Sequence, residues 1–386
     1  MTADPLAAAR AHAQAHEWGA AAVEFARVGA SAGVAGDRAA ARQAWEAAGD
    51  CWRRDDRPRH ASEALNHCLQ ETPEGPQAAL VRVKLAGVLG DLGETARAIA
   101  MLEGAEDLVA SGALRALVLD TRFEALLGLG RRDAAAKVAH SLGALAGTEP
   151  ALQMSSAFRN GQIARLEGRL DDAAACFGSV SAMVEDLPEA LPARAAAEAE
   201  LAEIAALRGD TVESLSLWDA ARTHFSEVGR QSLDWRAEAG RVRAAVDAGA
   251  FVFVGDLDEG IATAEQRGMV SLESDLRIAR GIARASSDRA SARQDLERAV
   301  SLADASGLRW RAGRGRFELA RRIAEGASRN ELAHRATEDL VGNEPWYWRA
   351  YAFAAEGAEL ARALARFELM GMERDAQLAR ARMAGT

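Results

Sequence analysis

The sequence predicts an all-α protein, an α-solenoid of about ten antiparallel helix hairpins. Composition is the first observation: only 5% of the 386 residues are aromatic, Pro occurs 8 times, and the strong helix formers Ala, Leu, Arg and Glu dominate. The second is a pattern of small and bulky residues that recurs about every 37 to 46 positions. The third is length, because 386 residues exceed the usual size of one compact core. Repetition of one helix hairpin accounts for all three.

The repeated pattern begins at a turn residue, usually Gly, which ends one helix by adopting the left-handed backbone conformation. A small residue follows five positions later, a bulky residue nine positions later, and often another small residue twelve positions later. These three positions share one face of the next helix. The clearest copies begin at Gly93, Gly168 and Gly209, shorter ones at Gly130, Gly255 and Gly371, and looser ones near Glu17, Asp56, Ser287 and Ser328.

The helix before each turn also carries a small residue, seven positions ahead of the turn. Ala86, Gly161 and Ala202 are the examples. Small residues on both helices let two antiparallel helices approach closely, and the bulky residue then fills the groove between them. The pattern therefore predicts an αα-hairpin as the repeating unit.

At Gly168–Val180 and Gly209–Ala221 the spacing resembles the tetratricopeptide repeat (TPR) family, in which Gly is followed by Ala, then Phe or Tyr, then Ala at these intervals. The stretch 24–54 is similar to the longer hairpins of vesicle-fusion adaptors and bacterial regulators. The family's Trp and Leu-Gly early in the first helix are mostly absent here. The resemblance implies a right-handed TPR-like superhelix, with HEAT-like stacking as the alternative. It also implies a concave face that binds a partner helix or an extended peptide.

The repeats predict a single solenoid over residues 1–386, with one interruption. The segment 247–260 contains the run Phe-Val-Phe-Val, which favours extended chain. One interpretation is a longer loop or an extended helix end that plugs the core. The other is a hinge at 249–256 that divides 1–250 from 251–386.

The overall charge disfavours nucleic acid as a partner, because the net charge is −10 and nucleic-acid binding needs a cationic face. No apolar run approaches the roughly 20 residues that cross a bilayer, and the N-terminus lacks the basic and apolar regions of a signal peptide. Cys51, Cys68 and Cys176 have no CxxC spacing, which indicates reduced cysteines. We therefore expect a cytoplasmic protein that binds neither nucleic acid nor membrane.

No set of residues in the sequence predicts catalysis or metal binding. His12 and His16 have the spacing of some metal ligands, but no third ligand is evident nearby. There is no GxSxG motif and no phosphate loop ending in GK[ST]. Acidic pairs such as Asp171 and Asp172 stand at helix starts, where they stabilise the helix N-terminus. We expect no enzyme activity, no cofactor and no metal.

The strongest local charge is at 309–335, a stretch that contains eight Arg and three Glu in an otherwise acidic protein. Arg309 and Arg316 lie on the apolar side of the predicted helix and would need carboxylate partners if buried. The opposite side carries a row of four Arg, which we call the Arg stripe. One interpretation is a solvated face that complements acidic neighbours. A second is a site for an acidic peptide or a C-terminal carboxylate, and a third is a site for nucleic acid or lipid. Four residues form the Arg stripe: Arg311, Arg314, Arg321 and Arg322.

An aromatic cluster follows in EPWYWRAYAF, residues 344–353. Its Pro predicts a helix start, from which an apolar helix is expected to run to about Met370. Trp346 and Phe353 align on one face and are predicted to pack in the core. The other rings are interpreted as end-cap packing, as anchors for a protein partner, or as a cage for a cationic ligand. These are Tyr347, Trp348 and Tyr351.

Together these observations predict a non-enzymatic scaffold or regulatory adaptor that binds a protein or peptide, acidic if the Arg stripe contacts it. The predicted partner-binding residues are the Arg stripe and the three rings Tyr347, Trp348 and Tyr351. One alternative is a peptide- or ligand-sensing subunit that works with a separately encoded effector. Another is an α/α-toroid enzyme, which would need two close buried carboxylates. The terminal hairpins are also expected to allow a homodimer.

Overall fold

A computed structural model describes residues 6–109, 112–185, 190–250, 252 and 254–385, and no β-strand occurs in these ranges. Helices pack mainly on their neighbours in sequence. The helices are α1 (Ala7–Gln14), α2 (Trp18–Val34), α3 (Arg38–Arg54), α4 (Pro58–Gln70), α5 (Pro76–Asp91), α6 (Thr95–Leu102), α7 (Gly112–Gly128), α8 (Arg132–Ala146), α9 (Pro150–Leu166), α10 (Leu170–Glu185), α11 (Leu191–Arg208), α12 (Thr211–Glu227), α13 (Gln231–Asp247), α14 (Gly255–Arg267), α15 (Val270–Arg284), α16 (Arg289–Ala305), α17 (Arg309–Arg322), α18 (Gly326–Asp339), α19 (Glu344–Ala354), α20 (Gly357–Met370) and α21 (Glu373–Ala384).

The predicted TPR-like hairpins are confirmed, and the protein is an all-α solenoid. The copy at Gly168 shows the pattern most clearly: Gly168 has a left-handed φ of 76°. Ala173, Phe177 and Val180, at the predicted positions of the next helix, are completely buried. The α9–α10 hairpin is therefore built by the spacing that the sequence displays.

The small residues ahead of each turn are the points of closest approach between paired helices. A Cβ atom added to Gly161 in α9 would lie 2.9 Å from the Phe177 ring of α10. In the next hairpin the Ser214 hydroxyl of α12 donates a 2.9 Å hydrogen bond to the Ala202 carbonyl oxygen of α11. Small side chains at both places are required because the facing helix occupies the space that a larger side chain would need.

The copy predicted to begin at Gly255 is wrong, because this residue is the first of α14 and is not in the left-handed conformation. The left-handed residue after α13 is Gly249, with a φ of 85°. Gly260 nevertheless lies in a close contact, since a Cβ there would meet Leu276 at 3.0 Å. The predicted hinge at 249–256 includes positions 251 and 253, which lie outside the described residues.

Two left-handed turns are formed without Gly. Asp56, the predicted start of a looser copy, has a φ of 52°. The copy predicted to begin near Glu17 has its left-handed residue one position earlier, at His16, with a φ of 59°. Polar residues adopt this conformation at some energetic cost. The repeat therefore tolerates a polar substitute at the turn near two of the looser copies. The other two are wrong, because Ser287 is not left-handed and Ser328 lies inside α18, whose left-handed residue is Gly326.

The chain divides into two compact units: unit 1 comprises Met1–Ala125 with Glu265–Met269, and unit 2 comprises Leu126–Ala264 with Val270–Thr386. In unit 1 a continuous apolar core includes the fully buried Leu65 of α4 and Leu85 of α5. A Cβ added to Gly49 of α3 would lie only 2.7 Å from Leu65, so α3 and α4 are closely packed.

In unit 2 the C-terminal hairpins pack against α9, α10 and α11. One buried cluster joins Phe177 of α10 and Leu207 of α11 to Phe367 of α20. The turn at Gly168 leaves room for Met370, whose sulfur would lie 2.4 Å from an added Cβ. The last repeats of unit 2 therefore contact its first repeats.

The single helix predicted from the aromatic cluster to Met370 is wrong. The α19 helix ends at Ala354, Ala355 and Glu356 are extended, and α20 starts at Gly357 with a φ of 50°. The break lies where α19 contributes to two clusters: Trp346 packs with Phe317, whereas Trp348 packs in one cluster with Phe367 of α20.

Candidate functional site

The Arg stripe on α17 faces other helices of unit 2 and is paired with their carboxylates. Arg311 makes a two-pronged contact with Asp275 of α15, with Nε–Oδ1 and Nη2–Oδ2 distances of 3.0 and 3.2 Å. Burial would raise the pKa of Asp275, but the charges of Arg311 and Arg236 outweigh burial and hold the pKa below its usual value. This pair links α15 and α17 as a charge-assisted contact.

The C-terminal end of the stripe converges on one carboxylate of α13. Asp247 accepts hydrogen bonds from Arg321 at 2.6 Å and Arg322 at 2.7 Å. Arg322 also donates to Glu318 at 2.6 Å. Burial would raise the pKa of Asp247, but the two guanidinium charges lower it. Asp247 is thus the point at which α13 and α17 are held together.

Arg314, in the middle of the stripe, has the longest contact with a carboxylate among the four stripe residues. Arg314 Nη2 lies 3.7 Å from Glu203 Oε1 of α11, and Arg243 Nη2 of α13 lies 3.7 Å from Glu203 Oε2. Neither distance is a hydrogen bond. Burial would raise the pKa of Glu203, but the charges of Arg314 and Arg243 lower it to about 2. Burial and the charge of Arg243 in turn lower the pKa of Arg314 to about 10.

We expect this site to make unit 2 sensitive to acid. A carboxylate with a depressed pKa in the folded state stabilises that state above its unfolded pKa and loses this contribution as the pH falls toward about 2. The free energy of unfolding of the wild type should therefore exceed that of Glu203→Gln by about 3 kcal/mol at pH 7. The difference should disappear between pH 4.5 and pH 2. Urea titrations of both proteins across this range measure it, and a pH-independent difference would contradict the assignment.

One aromatic ring, that of Trp346, contacts two guanidinium groups of unit 2. The Trp346 ring lies 4.0 Å from the guanidinium carbon of Arg314 and 4.8 Å from that of Arg349. Trp346 is 6% exposed and packs against Phe317. The aromatic neighbours of the Arg stripe are therefore Trp346, which the sequence assigned to the core, and Phe317, whose ring centroid lies 5.9 Å from the guanidinium carbon of Arg321.

The three rings predicted as partner anchors lie together on α19. Tyr347 and Trp348 have centroids 5.2 Å apart, and Tyr347 and Tyr351 stack at 6.0 Å. Trp348 is only 4% exposed, and its Nε1 donates a 2.9 Å hydrogen bond to Glu344. It packs in the cluster with Phe367, whereas the two Tyr are half-buried. Within this set the Tyr rings are the accessible ones.

Arg316 is mostly buried and has carboxylate partners on α16 and α18, as the sequence analysis required, whereas Arg309 is exposed. Arg316 pairs with Asp304 at 2.5 Å and with Asp339. Arg309 donates to the backbone carbonyl oxygen of Glu338. These contacts fix α17 between its two neighbouring helices.

A groove that the sequence analysis missed lies between α16, α17 and α18. This α16–α18 groove has a volume of about 800 Å³. Its apolar lining includes Val300, Leu319, Ile323 and Leu332. Its charged lining residues are Arg289, Arg293, Arg316 and Arg335, with Glu297, Asp304 and Glu325 as the carboxylates. Two of these Arg are already paired within the groove, Arg289 with Glu325 and Arg316 with Asp304. Three helices form it, so no single sequence segment displays it. Its only sequence signal is the Arg pair at 289 and 293, which is one helical turn apart.

Neither a grouped set of metal ligands nor a membrane-spanning helix occurs in the part of the chain that the structure describes. No group of three or more His, Cys, Asp or Glu side chains there is arranged to hold a metal ion. His12 instead contacts Glu17 at 2.5 Å. Cys51 and Cys68 are buried free thiols, and burial raises the pKa of both. No helix among the described residues is long and apolar enough to span a bilayer.

Comparison with solved structures finds partial similarity at low sequence identity and low TM-score. Neither a protein-family model nor a curated protein sequence matches the chain. A tetratricopeptide repeat protein from Parabacteroides merdae is 16% identical over 71% of this chain and 98% of that chain, with a TM-score of 0.38. Yeast Tom70 is 13% identical over 89% and 88%, with a TM-score of 0.31. The human IFIT1 dimer is 14% identical over 87% and 73%, with a TM-score of 0.34.

Proposed function

We propose that this protein is a non-enzymatic scaffold that binds a short acidic segment of a partner protein in the α16–α18 groove. The observation that carries the proposal is the groove itself. Its volume of about 800 Å³ falls in the range of ligand-binding clefts, roughly 300–1,000 Å³. Its apolar side chains and its exposed arginines, Arg293 and Arg335, suit a peptide that combines apolar and carboxylate groups.

The charges of the groove support an acidic partner. Arg293 and Arg335 are both exposed at the groove. Arg335 has only an exposed neighbour on its own helix, Glu331, at 3.0 Å, and such a pair contributes little energy. Both guanidinium groups are thus available to carboxylates of a partner.

The Arg stripe supports the same proposal indirectly. Because Arg311, Arg321 and Arg322 already have carboxylate partners within unit 2, an acidic peptide would have to displace Asp275 and Asp247 to reach them. Breaking such a pair leaves a buried charge unpaired, at a cost of about 3–5 kcal/mol. In the groove, by contrast, Arg293 and Arg335 can bind a carboxylate of the peptide without the loss of a buried ion pair.

A partner could also use the two accessible rings of α19. Tyr347 and Tyr351 are half-buried and stacked, and rigid Tyr rings are frequent anchors at protein interfaces. We propose them as a secondary contact. The same proposal places the protein in the cytoplasm, where its three free cysteines remain reduced.

The enzyme alternative requires two close buried carboxylates that share a site. In the described part of unit 2 the buried carboxylates Glu273 and Asp295 both contact the Arg277 guanidinium, and Asp295 also contacts Arg280. Glu203, Asp247 and Asp275 each have Arg neighbours that lower their pKa. Carboxylates held ionised by Arg are poorly suited to donate a proton as a general acid. This supports a non-enzymatic role.

We expect charge reversal at the groove to abolish partner capture. The variant Arg293→Glu/Arg335→Glu places two carboxylates where the proposed partner carries its own, so the affinity should fall at least about tenfold. Quantitative affinity capture from native cytosol identifies proteins bound by the wild type, and calorimetry with the purified partner measures the affinity.

The matched control is Arg27→Glu/Arg97→Glu in unit 1. Arg27 and Arg97 are exposed and each pairs with a Glu of its own helix, as Arg335 does. This variant should retain the partner. Equal loss from both variants, or full retention by the groove variant, would refute the proposed binding site.

A further inference from the structure

A small cavity of unit 2 contains an excess of positive charge. Its volume is about 30 Å³, enough for about two water molecules. Trp346 and small or apolar residues form part of its wall. Its charged lining residues are Arg243, Arg314, Arg349 and Arg374, with Glu203 and Asp247 as the carboxylates.

The two carboxylates do not neutralise the four cations. Asp247 accepts its hydrogen bonds from Arg321 and Arg322. Arg349 has its own partner outside the cavity lining, Asp375, at 2.8 Å. Glu203 lies 3.7 Å from both Arg243 and Arg314 and is shared between them, while the charges of Asp275 and Glu318 also act on Arg314 from other positions. The cavity therefore holds cations that share too few anions.

Arg314 supplies the most direct sign of a missing ligand. Its Nη2 atom is buried and makes no hydrogen bond. The Trp346 ring stabilises the guanidinium through its face but accepts no hydrogen bond from Nη2. A buried ionised donor without an acceptor carries the full penalty of desolvation. An anion in the cavity would remove that penalty.

We propose that this cavity binds one small oxyanion, of the size of inorganic phosphate, between Arg243 and Arg314. The planar guanidinium fork favours oxyanions because it donates two parallel hydrogen bonds to two oxygens. Arg314 lies on α17 and Arg243 on α13, so the bound anion bridges these two helices of unit 2. Glu203 on α11 is the group that competes with it.

Two substitutions, at Arg314 and at Glu203, are expected to change the affinity for phosphate in opposite directions. Calorimetric titration of the full-length protein with sodium phosphate, at constant ionic strength in a chloride background, measures the affinity. We expect one site per chain in the wild type. Arg314→Met should weaken binding at least about tenfold because it removes the unsatisfied donor, and Glu203→Gln should strengthen it at least about tenfold because it removes the competing charge.

The control variant is Arg169→Met, which removes an exposed arginine paired with Glu167 and Asp172. It should bind phosphate as the wild type does. Circular dichroism melting verifies that each variant is folded. If phosphate binds neither the wild type nor folded Glu203→Gln, or binds Arg314→Met as well as the wild type, the oxyanion site is refuted. Weaker binding by Glu203→Gln than by the wild type also refutes it, since a merely structural Glu203 would give that result.

Discussion

Replacing Gly240 with valine is expected to lower the free energy of unfolding of unit 2 by about 3 kcal/mol. Gly240 lies on α13 against the Trp218 ring of α12, and an added Cβ would lie 2.4 Å from Trp218 Cζ2. Trp218 is 6% exposed and packed on the far side by the α11–α13 cluster, so the ring cannot move away without opening that cluster. Urea denaturation followed by Trp fluorescence measures the change.

Gly178 is the matched control for this prediction. It lies inside α10 of the same unit, and a Cβ added there meets no atom within 4 Å. Gly178→Ala should therefore raise the free energy of unfolding by about 0.5–1 kcal/mol, the gain in helix propensity from Gly to Ala. If Gly240→Val were as stable as the wild type, the close approach of α12 and α13 would be wrong, and with it the register of that hairpin.

Replacing Asp247 with asparagine is expected to cost unit 2 about 3 kcal/mol. Asn retains the shape of Asp but removes the charge that faces Arg321 and Arg322, so two guanidinium groups lose their shared carboxylate. The loss should be largest at neutral pH, because the depressed pKa of Asp247 keeps the wild-type carboxyl ionised there. Denaturant titrations of the two proteins at pH 7 measure it.

Asp171→Asn provides the comparison. Asp171 also pairs with an arginine, Arg208, but its side chain is 99% exposed. Because an exposed ion pair contributes little, this variant should change the free energy of unfolding by less than about 0.5 kcal/mol. Equal effects of the two substitutions would show that the Asp247 pairs are no more important than surface contacts.

The hairpins could be predicted from sequence because their determinants are local. The spacing from Gly168 to Val180 specifies a turn, a helix face and the residue that fills the groove, all within thirteen consecutive residues. The same local logic succeeds at Gly209 and at Gly371, which have left-handed φ values of 92° and 69°. Fold class is therefore the most predictable property of this chain.

The helix break after α19 was not predictable in the same way. The residues from Ala354 to Gly357 include no Pro, and Ala and Glu are good helix formers. The break lets Trp348 of α19 and Phe367 of α20 pack in one cluster with α10 and α11, while Trp346 packs against Phe317 of α17. That choice depends on α10, α11 and α17, which are distant in sequence, so tertiary packing overrides local propensity.

The same limit applies to the Arg stripe. The helical wheel places four Arg on one face of α17, and the structure agrees that they share a direction. The sequence does not show whether water, a partner or other helices cover that face. The answer depends on Glu203, Asp247 and Asp275, three carboxylates on three different helices.

Hydrogen–deuterium exchange on the complex with the captured partner tests the central claim most directly. If the partner binds the α16–α18 groove while the Arg stripe keeps its internal carboxylates, exchange should slow in residues 289–339 and stay unchanged in residues 191–247. The Arg293→Glu/Arg335→Glu variant should show no such slowing at the same partner concentration. Protection of 191–247 with no change in 289–339 would contradict the claim, because the partner would then contact α11 and α13 instead of the groove.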